Sequence, residues 1–161
     1  MRLGSFPDTP KGDLPYHVVY RKGSTPEDRA AWNLVQKHKW IQVHGLDFVP
    51  DVVMFRHRVR TKHEDIDPST VLPVEIKLVK KASCSSELAR GVGQCLAYNT
   101  RYPNSILFVG VNPGVYRSHD VGERGLRRMS ETENGGNEQK FAEMLLKQQV
   151  RLILREVGTP Q

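Results

Sequence analysis

The longest uninterrupted apolar stretch of the chain, residues 106–111, is the feature that most limits its fold. Six residues are far too few to span a bilayer, which takes about twenty in a helix. A short continuous run without polar alternation is typical of a strand that is buried within a parallel or mixed sheet. The run therefore predicts a buried strand over Ser105–Val111.

The rest of the chain alternates between helical and extended patterns. Thr25 has the properties of a helix N-cap, because Pro26 follows it and Asp28 lies three residues on. The expected helices cover residues 26–39, 83–99 and 137–149, and the expected strands cover Tyr16–Tyr20, Trp40–Leu46, Val49–Arg58, Val71–Val79 and Val150–Val157. This order predicts an α/β protein with a mixed central β-sheet flanked by helices. We expect a single domain over residues 1–161, with an N-terminal arm at 1–23 and the core at 24–157.

The charge of the chain is unevenly distributed. It carries 24 Lys and Arg against 18 Asp and Glu, a formal net charge of +6. Residues 56–128 hold thirteen basic and seven acidic residues, whereas residues 41–55 hold only Asp47 and Asp51. A positive field of this kind attracts phosphate polyanions such as nucleic acids. A solvated surface that only keeps the protein soluble would have the same composition, so charge alone leaves both interpretations open.

The cysteine count excludes two other classes of protein. Only two cysteines, Cys84 and Cys95, occur in 161 residues, which is too few for a secreted disulfide scaffold. They also cannot form a four-cysteine iron–sulfur cluster, so no such cofactor is expected. Because no signal peptide opens the chain, we expect an intracellular protein, cytoplasmic or nucleoid-associated, without a membrane partner.

Two acids and a lysine are the candidate catalytic residues. Asp51 follows Pro50 at the head of one predicted strand, and Glu75 and Lys77 lie two residues apart on the next. The two-residue spacing places Glu75 and Lys77 on one strand face. Two carboxylates on neighbouring strands suit Mg²⁺ or Mn²⁺, and a lysine beside them can stabilise a phosphate or help deprotonate water.

An ordinary solvent-exposed strand would give the same Glu-x-Lys pattern. In that interpretation Glu75 and Lys77 face the solvent and alternate with the core residues Val74, Ile76 and Leu78. The Pro-Asp pair before the preceding strand and the helix that follows favour the functional interpretation.

The second predicted helix carries a polar stripe. Its residues recur at spacings of four, four and three, and they are Arg90, Gln94, Tyr98 and Arg101. Such a stripe is usually the solvent side of a helix, but Gln94 and Tyr98 are unusual there and the line could contact a phosphate backbone. Gly91 and Gly93 in the same helix indicate either close packing or close approach of another backbone.

These motifs together resemble the PD-(D/E)xK phosphodiesterase superfamily, which has a restriction-endonuclease-like fold. The Pro-Asp pair ending at Asp51 matches its first signature, and Glu75–Lys77 matches the second. Gln94–Tyr98 matches the Q-x-x-x-Y motif of the RecB-like and lambda-exonuclease-like branch. The resemblance covers roughly residues 24–157 and implies an αβββαβ core with an additional C-terminal helix and strand.

The resemblance implies a role for each matched position. Asp51 and Glu75 would bind Mg²⁺ or Mn²⁺ together with the main-chain carbonyl of Ile76. Lys77 would orient the attacking water and stabilise the developing charge on the phosphate.

Other positions receive supporting roles from the same resemblance. Gln94 and Tyr98 would support the active site and contact the nucleic-acid backbone. Glu27 stands where many members have a catalytic glutamate on the first core helix, but a first-turn acid favoured by the helix dipole would also be placed there. Nucleic-acid contacts are further expected from the basic residues Arg90, Arg101, Lys80, Lys81, Arg56, Arg58 and Arg60.

These inferences predict a metal-dependent nuclease that hydrolyses phosphodiester bonds in DNA with a metal-activated water. RNA is the alternative substrate, and endonuclease and exonuclease activity both remain open. Because one small domain has little room for base-specific recognition, we expect specificity for nucleic-acid structure or ends. We also expect a homo-oligomer or a subunit of a larger DNA-processing assembly.

Two other functions fit the sequence. A non-catalytic nucleic-acid-binding module could keep the nuclease fold, although an intact set of Asp51, Glu75 and Lys77 disfavours it. A basic structural or adaptor protein could carry the Glu-x-Lys by chance. In that case Asp51 and Glu75 would lie far apart in the fold.

Overall fold

A computed structural model describes residues 16–36, 38, 40–79, 85–111 and 133–157. Its elements in chain order are β1 (His17–Tyr20), α1 (Pro26–Val35), β2 (Ile41–Val43), β3 (Leu46–Phe48), β4 (Val52–Phe55), a 3₁₀ turn (Pro68–Thr70), β5 (Val71–Val79), α2 (Ser85–Tyr98), β6 (Ser105–Val111), α3 (Glu133–Lys147) and β7 (Val150–Glu156). Among these described helices, none combines the length and the apolar character that crossing a membrane requires. Lys80, Lys81 and most of the predicted N-terminal arm lie outside the described residues.

A mixed five-stranded sheet, in the order β1-β4-β5-β6-β7, forms the centre of the protein. β4 is antiparallel to both β1 and β5, whereas β6 is parallel to both β5 and β7. The parallel pairs are connected through α2 and α3, as βαβ units require. The predicted α/β class with a mixed central sheet flanked by helices is thereby confirmed.

One predicted strand, Trp40–Leu46, is wrong, because the chain turns back in its middle. His44 and Gly45 have φ angles of 49° and 78°, the left-handed conformation that a tight hairpin turn needs. β2 and β3 therefore pair with each other in a separate two-stranded sheet. Of the strands between α1 and α2, only β4 and β5 belong to the central sheet.

Several predicted boundaries also differ from the structure. The predicted strand Val49–Arg58 is reduced to β4, because β1 and β5 pair only with its four central residues. The first helix ends at Val35 instead of about Lys39, and the third begins at Glu133 instead of Asn137. β5 and β6 have the predicted bounds.

All three described helices pack on one face of the central sheet. The buried residues of this core include Val35 from α1, Cys95 and Tyr98 from α2, Leu145 from α3, and Val53, Leu107 and Val109 from the strands. The opposite face has a smaller buried cluster of Val52, Val74 and Ile106, which are all strand residues. The side of β5 that faces the helices is therefore the more deeply buried one.

Candidate active site

Asp51 lies where β4 begins beside the middle of β5. The antiparallel register pairs Val52 with Val74, which places the preceding Asp51 opposite Glu75. Asp51 Oδ2 accepts a hydrogen bond from the Ile76 main-chain N–H at 3.0 Å. On the other side, the Arg21 N–H donates to the Asp51 carbonyl oxygen at 2.9 Å. Asp51 is thus held by both neighbouring strands.

The main-chain carbonyl of Ile76, predicted as a metal ligand, is directed toward Asp51. In an extended strand the N–H and the C=O of one residue point to the same side. Because the Ile76 N–H bonds Asp51, its carbonyl also faces the edge of β5 from which Asp51 approaches. Asp51, Glu75 and this carbonyl therefore lie around one corner of the sheet.

Glu75 is almost completely buried, with only 2% of its surface exposed. Lys77 Nζ contacts Glu75 Oε1 at 2.6 Å, and the Tyr98 hydroxyl donates to Glu75 Oε2 at 2.7 Å. Burial raises the pKa of Glu75 above its ordinary value, while the hydrogen bonds from Lys77 and Tyr98 oppose that shift. The nearby charge of Asp51 raises this pKa further. The interpretation of Glu75 as a solvent-exposed strand residue is therefore wrong.

The exposure of the side chains on the two faces of β5 differs from what their hydropathy suggests. Ile76 and Leu78, predicted as core residues in the exposed-strand interpretation, are 37% and 48% exposed. Glu75 and Lys77 instead point to the helix side, where the side chain of Lys77 is only 11% exposed. An apolar environment around charged groups is typical of functional sites, because it perturbs their protonation.

Tyr98 lies in the interior between α2 and β5, with an exposed fraction of 0%. Burial and the neighbouring Glu75 carboxylate raise the pKa of Tyr98, so its hydroxyl stays neutral and acts as a donor. The hydroxyl bonds Glu75, and the structure places it inside the protein instead of on the surface where a nucleic-acid backbone would lie. Its observed contact orients Glu75.

Gln94 precedes Tyr98 by one turn of α2 and so lies on the same helix face. Its side chain is half-buried, and its Oε1 is buried without a hydrogen-bond partner among the described residues. A buried acceptor of this kind normally bonds water or a ligand. Its supporting role in the active site stays a prediction.

The two ends of the predicted polar stripe do not reach this corner. Arg90 is exposed and contacts Glu87 Oε1 at 3.3 Å, one turn away on the helix surface. Arg101 lies past the end of α2, with its guanidinium 5.9 Å from the centre of the Tyr102 ring. The middle residues of the stripe, Gln94 and Tyr98, are therefore half-buried or buried, whereas Arg90 and Arg101 at its two ends are exposed.

Glu27 is exposed in the first turn of α1. The predicted cap at Thr25 is confirmed, because Thr25 and Asp28 form a capping box. Among the described residues, no hydrogen bond or ion pair connects Glu27 to Asp51 or Glu75. Its observed position is that of a helix-start acid.

The basic residues Arg56, Arg58 and Arg60 lie past the far end of β4. Arg56 follows β4 five residues after Asp51, a span of about 17 Å along an extended strand. All three side chains are exposed, but the structure does not bring them next to Asp51. They form a separate basic surface at the opposite end of the sheet.

Sequence reasoning missed two basic residues at the site, Arg21 and Lys22. Both are exposed and follow β1 directly, and the Arg21 N–H bonds the Asp51 carbonyl oxygen. The only sequence signal was their position after a predicted short strand. Their proximity to Asp51 depends on the pairing of β1 with β4, which no local pattern indicates.

The donor set at this corner fits a hard divalent cation. Among the described residues, no three His, Cys, Asp or Glu side chains lie close enough together to hold a metal ion. Mg²⁺, however, is usually bound by one or two carboxylates together with waters and substrate phosphates. Asp51, Glu75 and the Ile76 carbonyl provide such a set, provided that Lys77 leaves Glu75 Oε1.

A cavity of about 220 Å³ lies elsewhere in the described part of the protein. It is lined by Leu72, Ile106 and Arg151 among others, at the starts of β5, β6 and β7. It opens on the sheet face opposite Glu75. We therefore do not assign it to the candidate active site.

No protein-family model, curated protein or solved structure matches this chain. The resemblance to the PD-(D/E)xK superfamily therefore rests on the motifs alone. What the structure adds is the proximity of Asp51, Glu75 and Lys77.

Proposed function

We propose that the protein is a metal-dependent nuclease with a restriction-endonuclease-like core, hydrolysing phosphodiester bonds by attack of a metal-activated water. One observation carries the proposal: Glu75, nearly buried, lies between Lys77 and Tyr98 and next to Asp51, the acid directly before β4. A chance Glu-x-Lys in an adaptor protein would have left Asp51 and Glu75 far apart.

The burial of charge supports a functional role for these residues. Removing a carboxylate and an ammonium from water costs several kcal/mol for each ion, which their attraction only partly offsets. Apolar residues of similar volume would pack the same position at less cost. The presence of Glu75 and Lys77 at this buried position therefore favours chemistry over structural stabilisation.

Each residue has a distinct role in the proposal. Asp51, Glu75 and the Ile76 carbonyl would hold Mg²⁺ or Mn²⁺, which lowers the pKa of bound water and polarises the phosphate when bound. Lys77, once released from Glu75, is placed to donate to a phosphate oxygen as negative charge develops there. Tyr98 keeps Glu75 oriented throughout.

DNA is the proposed substrate and RNA the alternative, supported by the positive charge and the resemblance. The single small core leaves recognition to nucleic-acid structure or ends. Assembly as a homo-oligomer or within a DNA-processing complex is part of the same proposal.

A cleavage assay tests the proposal. Labelled single-stranded, duplex and branched DNA and a matched RNA are incubated with Mg²⁺, Mn²⁺ or EDTA. Asp51→Asn, Glu75→Gln and Lys77→Met are each expected to lower the cleavage rate at least ~100-fold, the scale of losing one transition-state contact. The matched control is Glu143→Gln, an exposed acid on α3. Equal cleavage by the wild type and Glu75→Gln would contradict the proposal.

A non-catalytic binding module is the second candidate. It is favoured by the fact that both Glu75 oxygens already have protein partners. It predicts nucleic-acid binding that EDTA does not change and no cleavage under any metal condition.

A further inference from the structure

An arginine that the function above does not use, Arg21, adjoins the candidate site on its other side. The register of β1 and β4 pairs Tyr20 with Val52. The Arg21 N–H then donates to the carbonyl oxygen of Asp51 at 2.9 Å. Lys22 follows, and both basic side chains are exposed.

The Arg21 guanidinium is held in place but not neutralised. Its NH1 donates to the carbonyl oxygen of Val49 at 3.2 Å, in the turn that leads to Asp51. No carboxylate among the described residues forms an ion pair with Arg21. A guanidinium has five N–H donors, so the remaining donors are available to a bidentate acceptor such as a phosphate.

Arg21 and Lys77 are spaced so that a single strand of nucleic acid crossing the site could contact both. β1, β4 and β5 are adjacent in the sheet, and neighbouring strands lie about 4.8 Å apart. The registers place Arg21 and Asp51 level with Glu75, and Lys77 lies two residues further along β5, so the main chains of Arg21 and Lys77 are about 12 Å apart, on either side of Asp51. Side chains of this length can contact neighbouring phosphates of one strand.

We propose that Arg21 forms a phosphate subsite that binds the phosphodiester next to the one that is cleaved. The proposal rests on the nuclease function proposed above and names the part of the substrate that this residue contacts. The substrate strand then runs across β5, β4 and β1.

A purely structural role for Arg21 is the alternative, because its hydrogen bond to Val49 could serve only to fix the turn. Arg21→Gln removes the charge, and the salt dependence of binding separates the two roles, because losing a turn contact alone would not change the number of phosphates neutralised. The matched control is Arg155→Gln on β7, at the opposite edge of the sheet. Arg155 is also exposed and also bonds a main-chain carbonyl, that of Leu154 at 3.1 Å.

The test measures binding of a labelled 20-nucleotide single strand and a 20-base-pair duplex by fluorescence anisotropy across a salt series, with Ca²⁺ replacing Mg²⁺. One phosphate contact contributes about five- to eightfold in affinity at 0.1 M salt. Arg21→Gln is expected to lose that factor and to reduce the slope of log K against log salt by about 0.7–0.9. Arg155→Gln is expected to change neither.

A modified substrate locates the contact. Once the cleavage position is mapped, the neighbouring phosphate is replaced by a neutral methylphosphonate. The wild type is expected to lose the same factor of affinity on this substrate, and Arg21→Gln is expected to lose nothing more.

The outcomes separate this subsite from the function on which it rests. Cleavage by the wild type with equal affinities and slopes for the Arg21 and Arg155 variants would overturn the subsite and leave the nuclease. Equal sensitivity of the wild type and Arg21→Gln to the methylphosphonate would also overturn it. Absence of both binding and cleavage by the wild type would overturn the proposed function itself.

Discussion

Tyr98 donates its hydroxyl hydrogen to Glu75 Oε2 at 2.7 Å, and the two side chains are 0% and 2% exposed. A carboxylate so deeply buried depends on its few partners, because water cannot replace them. This contact links the C-terminal end of α2 to the centre of β5. It makes the orientation of Glu75 dependent on the packing of one helix.

Tyr98→Phe removes that donor and keeps the ring. We expect the free energy of unfolding to fall by about 1–3 kcal/mol, because one oxygen of a buried carboxylate loses its hydrogen bond. Denaturant unfolding measures the change. Tyr102→Phe is the matched control, since Tyr102 is also buried but no contact of its hydroxyl is seen among the described residues. Equal losses for both variants would contradict the role of the Glu75 contact.

The pH dependence of stability reports the burial of Glu75. Burial raises its pKa, so the folded protein retains a proton at pH values where the unfolded chain has released it. The resulting stabilisation is complete below the ordinary pKa of 4.5 and is lost as the pH rises through the raised value. The free energy of unfolding of the wild type relative to Glu75→Gln should therefore decrease as the pH rises above 4.5. A difference that increased with pH would indicate a lowered pKa instead.

Lys77 competes with a divalent cation for Glu75 Oε1, which it contacts at 2.6 Å. Lys77→Met removes the competitor and its repulsion of the divalent cation, which at this range amounts to several kcal/mol (~8 at 4 Å for charges of +1 and +2 with an effective dielectric constant near 20). Without Lys77, Glu75 is also protonated more easily, which opposes metal binding and offsets most of the gain. The net effect of Lys77→Met should be Mn²⁺ binding that is about tenfold tighter, or ~1.4 kcal/mol. Calorimetric titration of the wild type, Lys77→Met and the surface control Lys140→Met tests it. Weaker binding by Lys77→Met would show that the ammonium does not occupy the metal position.

Gly91 and Gly93 lie two residues apart on α2 but in opposite environments. A Cβ at Gly91 would lie 2.6 Å from Leu107 Cδ1 and 2.9 Å from Lys77 Cγ, whereas a Cβ at Gly93 would meet nothing within 4 Å. Gly91→Ala should therefore lower the free energy of unfolding by about 1–2 kcal/mol despite its better helix propensity. Gly93→Ala should raise it by about 0.5–1 kcal/mol. Urea unfolding of the two variants compares them directly, and equal stabilisation by both would contradict the close packing at Gly91.

Cys95 is fully buried, and its Sγ lies 3.6 Å from the Ile106 carbonyl oxygen. Burial raises the pKa of its thiol to about 12, so the reactive thiolate is almost absent at pH 8. Iodoacetamide should label the peptide containing Cys95 at least about 100-fold more slowly in the native protein than in guanidinium chloride. Peptide mass spectrometry measures the rate at this residue alone. Fast native labelling would mean that the core between α2 and β6 opens readily.

Local patterns in the sequence were sufficient for part of the fold. The cap at Thr25 was predictable because the capping box involves residues only three apart. The bounds of β5 and β6 were predictable because alternation and continuous apolar runs are properties of single strands. The β2–β3 hairpin was missed, since its turn at His44 and Gly45 interrupts a stretch that otherwise reads as one strand.

The candidate site, like the fold, was predictable from the sequence only in part. The sequence by itself determined which residues make up the candidate site, and it placed Glu75 and Lys77 on one face of β5 through the two-residue period of a strand. It could not determine which face the helices cover, because Val74, Ile76 and Leu78 made the other face look like the core. Only the tertiary structure decided that Glu75 is buried against Tyr98 and that Arg21 adjoins Asp51. The physical reason is that strand pairing and helix packing join residues about 20–30 positions apart, whose contacts depend on the whole sheet and leave no local pattern.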